Sequence, residues 1–182
     1  MPLTTVPLPY GLRDVGLKAL TANKDAPGSL TDLPYGRTFS WSETEEFEEL
    51  RGDDTVITTR GSGPAPEWEL ESGGIKLDAF KLIVGGTVVG SGVTPNQKNT
   101  FTKMSTDSRP FFKLEGQAIS DSGGDFHAII YAARATGDVE GELSDGAFWL
   151  TGASGRALPT NEATHVGKMY EFVQNETAAA IV

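Results

Sequence analysis

Between Trp41 and Gly52 the chain reads WSETEEFEELRG, and this stretch limits what the whole can fold into. Its serine, threonine and aromatic residues suit an extended strand, yet Glu43, Glu45, Glu46, Glu48 and Glu49 crowd into it. Written as a strand, one face carries Phe39, Trp41, Glu43, Glu45, Phe47 and Glu49, and the other Ser40, Ser42, Thr44, Glu46, Glu48 and Leu50. Neither face is apolar throughout, and an unpaired buried carboxylate is very costly. The strand must therefore leave its core partway and run on with its charge in water. Arg51-Gly-Asp-Asp54 supplies a tight turn and residues 55–60 (TVITTR) return as the partner, so the expectation is a solvated β-hairpin protruding from the domain.

Around it, the turn-rich composition (Gly 22, Pro 10 in 182 residues) favours many short strands over a helical bundle. Residues 1–34 hold five prolines and no sustained period apart from a short helix-like pattern over 13–21; they are expected to form an N-terminal arm, with Leu3, Val6, Leu8, Leu12 and Leu17 favouring docking on a neighbour. After a turn at 61–66, Glu67-Trp-Glu-Leu-Glu71 alternates as a third strand with Trp68 and Leu70 on one face. SGGIKLDAFKLIVGG then gives one helix of about ten residues: Ile75, Ala79, Leu82 and Ile83 recur at helical spacing and Gly85-Gly86 stops it. Its further apolar residues predict a helix that plugs a core. Residues 87–110 read as a long loop or weak hairpin, and strands are expected over 111–120, 126–134, 138–143, 147–153 and 168–174. The fold class is mainly β: a β-sandwich or barrel over residues 35–175 with one flanking α-helix, the N-terminal arm, the long loop and a C-terminal tail at 176–182.

No residue pattern points to catalysis. Asp121-Ser-Gly-Gly124 resembles a serine-protease nucleophile loop, but both histidines, His127 and His165, lie downstream of the serine, and these residues are what a hairpin turn needs. Two histidines without a close pair, and no cysteine, give no zinc site and no disulfide framework. His127 reads as a solvated or hydrogen-bonded strand residue. Paired glutamates such as Glu69 with Glu71 would suit a glycosidase, but no dense aromatic platform accompanies them. Arg51-Gly-Asp53 is a turn, the nearby acids lack the ligand spacing of a calcium loop, and no phosphate-binding glycine motif is present. The expectation is a non-enzyme with no cofactor and no metal.

A formal net charge of −10 argues against wrapping nucleic acid, because phosphate binding relies on Lys and Arg. The first residues lack the basic and apolar regions of a signal peptide, and no apolar run approaches the ~18 residues of a membrane span, so no membrane partner is expected and the chain should stay in the cytosol where it is made.

In its order of features the chain resembles the major tail tube proteins of long-tailed, non-contractile bacteriophages. The resemblance rests on the proline-rich start, the acidic FSWSETEEFEELRGDDTVITTRGSGPAPEWELE block, the single helix in SGGIKLDAFKLIVGG, and the strand series FFKLEGQAISDSGGDFHAIIYAARATGDVEGELSDGAFWLTGASGRAL. It implies a subunit of hexameric rings that stack into a hollow tube through which DNA leaves the capsid. On that reading Glu43, Glu45, Glu46, Glu48 and Glu49 are lumen-facing candidates whose carboxylates repel phosphates. Residues 1–34 and 87–110 are candidates for ring-to-ring contact, and Trp41, Trp68, Phe80, Tyr131 and Trp149 for core or interface packing. The implied partners are further copies of the chain, a tape measure protein and tail terminator and tip proteins, with DNA passing unbound. The implied location is the virion tail, and the host cytoplasm during assembly. Two readings from other classes are a carbohydrate- or receptor-binding β-sandwich module of a virion or cell surface, and a hydrolase using paired carboxylates.

Overall fold

A computed structural model describes residues 6–181; residues 1–5 of the expected arm and residue 182 of the expected tail lie outside it. The protein is mainly β. Among the described residues ten strands and one helix follow in the order β1 (Pro9–Ala19), β2 (Leu30–Asp32), β3 (Gly36–Gly52), β4 (Thr55–Gly73), α1 (Leu77–Val84), β5 (Thr87–Ser91), β6 (Lys98–Thr102), β7 (Phe112–Ser120), β8 (Asp125–Gly141), β9 (Leu150–Ala157) and β10 (Tyr170–Asn175). Strands β5 and β6 form a separate hairpin, and the rest build one antiparallel sheet in the order β2-β1-β7-β8-β9-β4-β3, with β10 also paired to β8.

The sheet folds over on itself because β8 serves both layers. Its first half pairs with β7 and β10, and its second half, from Ala133, pairs with β9. Two irregularities turn it. A register shift opposite β7 lets Ile130 and Ala133 both face the core, and a bulge separates Ala135 from Val139 opposite β9. Arg109 donates to the carbonyls of Ala135 (3.2 Å) and Gly137 beside that bulge, so backbone groups in the interrupted ladder keep partners.

Between the layers, Val15, Leu17, Phe112, Leu114 and Ile130 face Trp68, Leu70, Ala153 and Ala157. The fully buried Trp68 and Phe112 meet edge to face at 5.5 Å, an arrangement that adds to what their area burial contributes. Helix α1 closes one end of the core with Ala79, Ile83 and Val84. Gly85, at φ 79°, ends it, and the Lys103 ammonium donates to the Val84 carbonyl at the helix C-terminus, where a cation is favoured. The helix is shorter than expected, and Ile75 lies before it and is exposed. Among the described residues no helix is long and apolar enough to cross a membrane.

Three expectations need correction. Within the segment read as an arm, residues 9–19 form β1, hydrogen-bonded along β7, and the helix expected over 13–21 is part of that strand and the turn after it. Asp14-Val-Gly-Leu-Lys18 alternates with period two, Val15 and Leu17 pointing inward, and this short alternation loses against the surrounding prolines when the chain is read alone. The turn expected at 61–66 is a bulge within one continuous strand, so Glu67 to Glu71 extend β4 and do not start a third strand. The strands expected at 126–134 and 138–143 are likewise the single strand β8.

Candidate functional site

The β3–β4 hairpin is the feature that departs most from a self-contained sandwich. From Ser40 to Arg51 every residue of β3 is exposed, as are residues 53–60 on the return. At about 3.3 Å per residue, the part beyond Ser42 reaches roughly 30 Å from the packed layers. Asp53 and Asp54 make the turn at φ 50° and 62°, the left-handed conformation at both central positions that a two-residue hairpin turn requires. The Thr55 hydroxyl donates to the Gly52 carbonyl at 2.9 Å. The Arg51-Gly-Asp53 tripeptide is thus part of this turn.

Register assigns the expected lumen residues to two faces. Trp41 pairs with Trp68, Glu43 with Pro66 and Glu45 with Pro64, so Glu43, Glu45 and Glu49, with Phe47 among them, continue the core-side face outwards. Glu46 and Glu48 continue the opposite face, which nearer the body carries Glu67, Glu69 and Glu71. All five are exposed, but they do not form one row. A one-residue bulge in β4 between Gly61 and Pro64 twists the ribbon at its middle; there the Ser62 hydroxyl donates to the Glu46 carbonyl at 3.1 Å and the Gly63 amide to Glu45 Oε1 at 3.3 Å. On the outer face Arg156 meets Glu67 (3.3 Å) and Arg37 meets Glu71 (3.4 Å), both solvent-exposed pairs of small energetic weight.

The ribbon also carries exposed apolar side chains. Phe47 and Ile57 are each 63% exposed, and Leu50 and Val56 accompany them. A two-stranded ribbon is marginal by itself in water, and β3 is the last strand of the sheet, pairing among the described residues with β4 alone along its 17 residues. The glutamates keep this edge from indiscriminate pairing.

Charge is unevenly distributed along the molecule. Residues 43–64 hold seven carboxylates against Arg51 and Arg60, whereas residues 75–113 hold four lysines outside the strands of the main sheet or at their margins (Lys76, Lys81, Lys98, Lys103), plus Arg109 and Lys113, against Asp78 and Asp107. Helix α1 follows directly on the body end of β4, so the basic segment begins at the opposite end of that strand from the acidic turn. Val89, Val93 and Met104 are exposed in the basic segment.

Four aromatic rings pack together beside the root of the hairpin. Trp41 stacks on Tyr170 at 5.5 Å and touches Phe172 at 4.8 Å, while Phe172 stacks on Phe126, so these rings fill the mouth between β3 and β10. The Tyr170 hydroxyl is held above its ordinary pKa by its hydrogen bond to Glu43.

A second polar group was not legible as a unit. On the outward face of β7 and β8, His127 is buried with its Nδ1 2.7 Å from Glu115 Oε1 and its Nε2 2.9 Å from Asp125 Oδ2. Asp125, fully buried, also accepts from Gln117 Nε2 (2.6 Å), the Ala179 amide (2.8 Å) and Asn175 Nδ2 (2.8 Å). Burial would raise the Asp125 carboxyl, but the hydrogen bonds from Gln117, His127, Ala179 and Asn175 outweigh it and hold it well below the usual carboxylate range. Burial would likewise lower His127, and the bonds to Glu115 and Asp125 outweigh it, so the imidazole sits above its ordinary value. The available signal was polar alternation on both arms flanking the Asp121-Ser-Gly-Gly124 turn: Glu115 and Gln117 before it, Asp125 and His127 after it. Ser122, the serine of that turn, hydrogen-bonds Ser120 and donates to the Val6 carbonyl, and among the described residues both histidines have other hydrogen-bond partners.

Compared with known proteins, the chain matches no protein-family model and no curated protein sequence.

Proposed function

We propose that this protein is a structural subunit that self-assembles head to tail, and that the assembly is a phage tail tube of stacked hexameric rings, with tape measure, terminator and tip proteins as further partners. The observation that carries the reading is the hairpin: a solvated ribbon with an open edge and with Phe47, Leu50, Val56 and Ile57 uncovered. A second copy is the occupant that charge complementarity favours, since the ribbon's carboxylates match the exposed Lys81 and Lys98 of the basic segment that begins at the other end of β4. Contact between two different surfaces of the same chain generates rings if the rotation closes and filaments if it does not. The acidic outer faces of β3 and β4 would then repel the phosphates of DNA, over a range of about 8 Å at physiological salt.

Sedimentation velocity and negative-stain electron microscopy of the concentrated protein test the proposal. Rings or tubes that appear with rising concentration are expected. Discrete monomers at every concentration, together with absence from the shafts of virus particles, would overturn it.

A further inference from the structure

The outward face of the layer formed by β2, β1, β7, β8 and β10 is covered by the chain's own residues 176–181. From Asn175 at the end of β10 this segment crosses β8 and β7, where the Ala179 amide bonds Asp125 and the Ala179 carbonyl accepts from Gln117 Nε2 at 2.7 Å. It ends over β1 and β2, where Ile181 is buried. A Cβ placed on Gly16 would stand 2.6 Å from Leu30 Cδ1 and 2.9 Å from Ile181 Cγ2, so the absence of a side chain at Gly16 makes the seat for Ile181. Four interstrand spacings of about 4.8 Å separate β10 from β2, close to the reach of six extended residues.

This strap is fastened through charge. Both ring nitrogens of His127 face carboxylate oxygens, and a neutral imidazole has only one N–H to offer. The arrangement satisfies both contacts when the ring carries two protons. Removing one would leave two buried carboxylates, Glu115 and Asp125, without a cation between them. Among the described residues, the other charged and titratable groups on this layer have contacts of their own. From β7, Lys113 lies over the Tyr131 ring. From β8, the Tyr131 hydroxyl bonds Glu171 of β10, which also binds Lys168, and the Tyr131 ring stacks on His165, itself paired with Glu162. From β1, Asp14 is a further acid, raised by burial first and by neighbouring Asp32 of β2, whose carboxylate binds Lys76. Lys18 of β1 is opposite Lys113 in register, not opposite Glu115.

We propose that residues 176–181 are a proton-fastened strap: the doubly protonated His127 locks Asp125, Asp125 locks Ala179, and loss of the ring proton releases the segment from the outward face of β1, β7 and β8. The sheet beneath stays folded, because its core lies on the opposite face.

Nuclear magnetic resonance of the uniformly labelled, unmodified chain tests this at concentrations where it is monomeric. The ring 15N shifts of His127 should report imidazolium at pH 7. As pH rises through the ring's titration, exchange protection of the Ala179 amide, corrected for the intrinsic rate, should fall at least tenfold and the contact between the Ile181 and Leu30 methyls should vanish, while the Leu17 and Leu114 amides stay protected. In His127→Gln the strap should be open across pH 6 to 9. If that variant fails to fold, Ala179→Pro, which lacks the amide donor, should lose the Ile181 contact at every pH and keep the core amides. A neutral ring at pH 7, a strap equally protected from pH 6 to 10, or loss of strap and core together would each overturn the proposal.

Discussion

The hairpin tip and the patch beneath the strap are both built on carboxylates, and the molecule treats them in opposite ways. On the hairpin Glu43, Glu45, Glu46, Glu48 and Glu49 are exposed, with few partners each: Arg51 meets Glu49 at 2.9 Å, the Gly63 amide Glu45 and the Tyr170 hydroxyl Glu43. Beneath the strap Asp125 is sealed from solvent and every contact to it is a donor. The first arrangement contributes little to folding and leaves charge available to act on something outside; the second acts inside and leaves nothing to offer. The same residue types thus mark an outward-acting surface in one place and an internal fastening in the other, and burial with partner count tells the two apart.

The sharpest way to break this contrast is to remove the buried acid. Asp125→Ala deprives His127, Gln117, Asn175 and the Ala179 amide of one shared acceptor and should cost about 3–5 kcal/mol in urea unfolding. A loss below about 1 kcal/mol would put the patch in the same class as the hairpin.

Acidity provides a second lever. Asp125, lowered in the fold, contributes stability that is present above the unfolded carboxylate value of about 3.9 and is lost as pH falls through its depressed value. His127, raised in the fold, contributes stability that is complete below about 6.5 and is lost as pH rises through its raised value. Urea midpoints measured from pH 2 to 10 should therefore peak between roughly pH 4 and 6.5. A profile unchanged by His127→Gln on its alkaline side would remove the histidine from this account.

Hairpin changes should spare folding and alter association. Phe47→Ser with Ile57→Ser should weaken self-association by about tenfold per side chain while shifting monomer stability by less than about 0.5 kcal/mol, read by sedimentation and urea unfolding. Exchanging all five hairpin glutamates for glutamine should change monomer stability as little; on the tube reading it slows DNA ejection, and unchanged ejection and infectivity would remove the lumen role from these residues. The smallest effect is expected at the turn, where Asp54→Gly keeps the left-handed conformation at φ 62° and should raise the thermal midpoint slightly, by the equivalent of about 0.5 kcal/mol.

What could be read from the sequence follows the range of the forces involved. The hairpin was legible because its turn residues and its glutamates act locally: a strand with charge on both faces cannot be buried, whatever surrounds it. The helix was legible through its spacing and its glycine stop. Strand β1 was not, since its inward Val15 and Leu17 gain their meaning only from Phe112 and Leu114 far along the chain. His127, read as a solvated or hydrogen-bonded strand residue, is hydrogen-bonded within β8; what the chain alone did not show is its burial between two acids, one contributed by the neighbouring strand. Two bulges, at 61–64 and at 135–139, were read as breaks between strands, because glycine marks a kink within a strand as readily as the end of one.

Strand β8 finally determines how the molecule would answer to mechanical load. The backbone that carries Asp125 and His127 in one layer continues without interruption into the ladder with β9, which in turn holds β4 and the root of the hairpin. Tension on the hairpin is therefore transmitted to the far side of the sandwich through hydrogen bonds pulled in shear along a common spine. Neither layer can peel away while the other stays whole, so the body should yield as a single mechanical element.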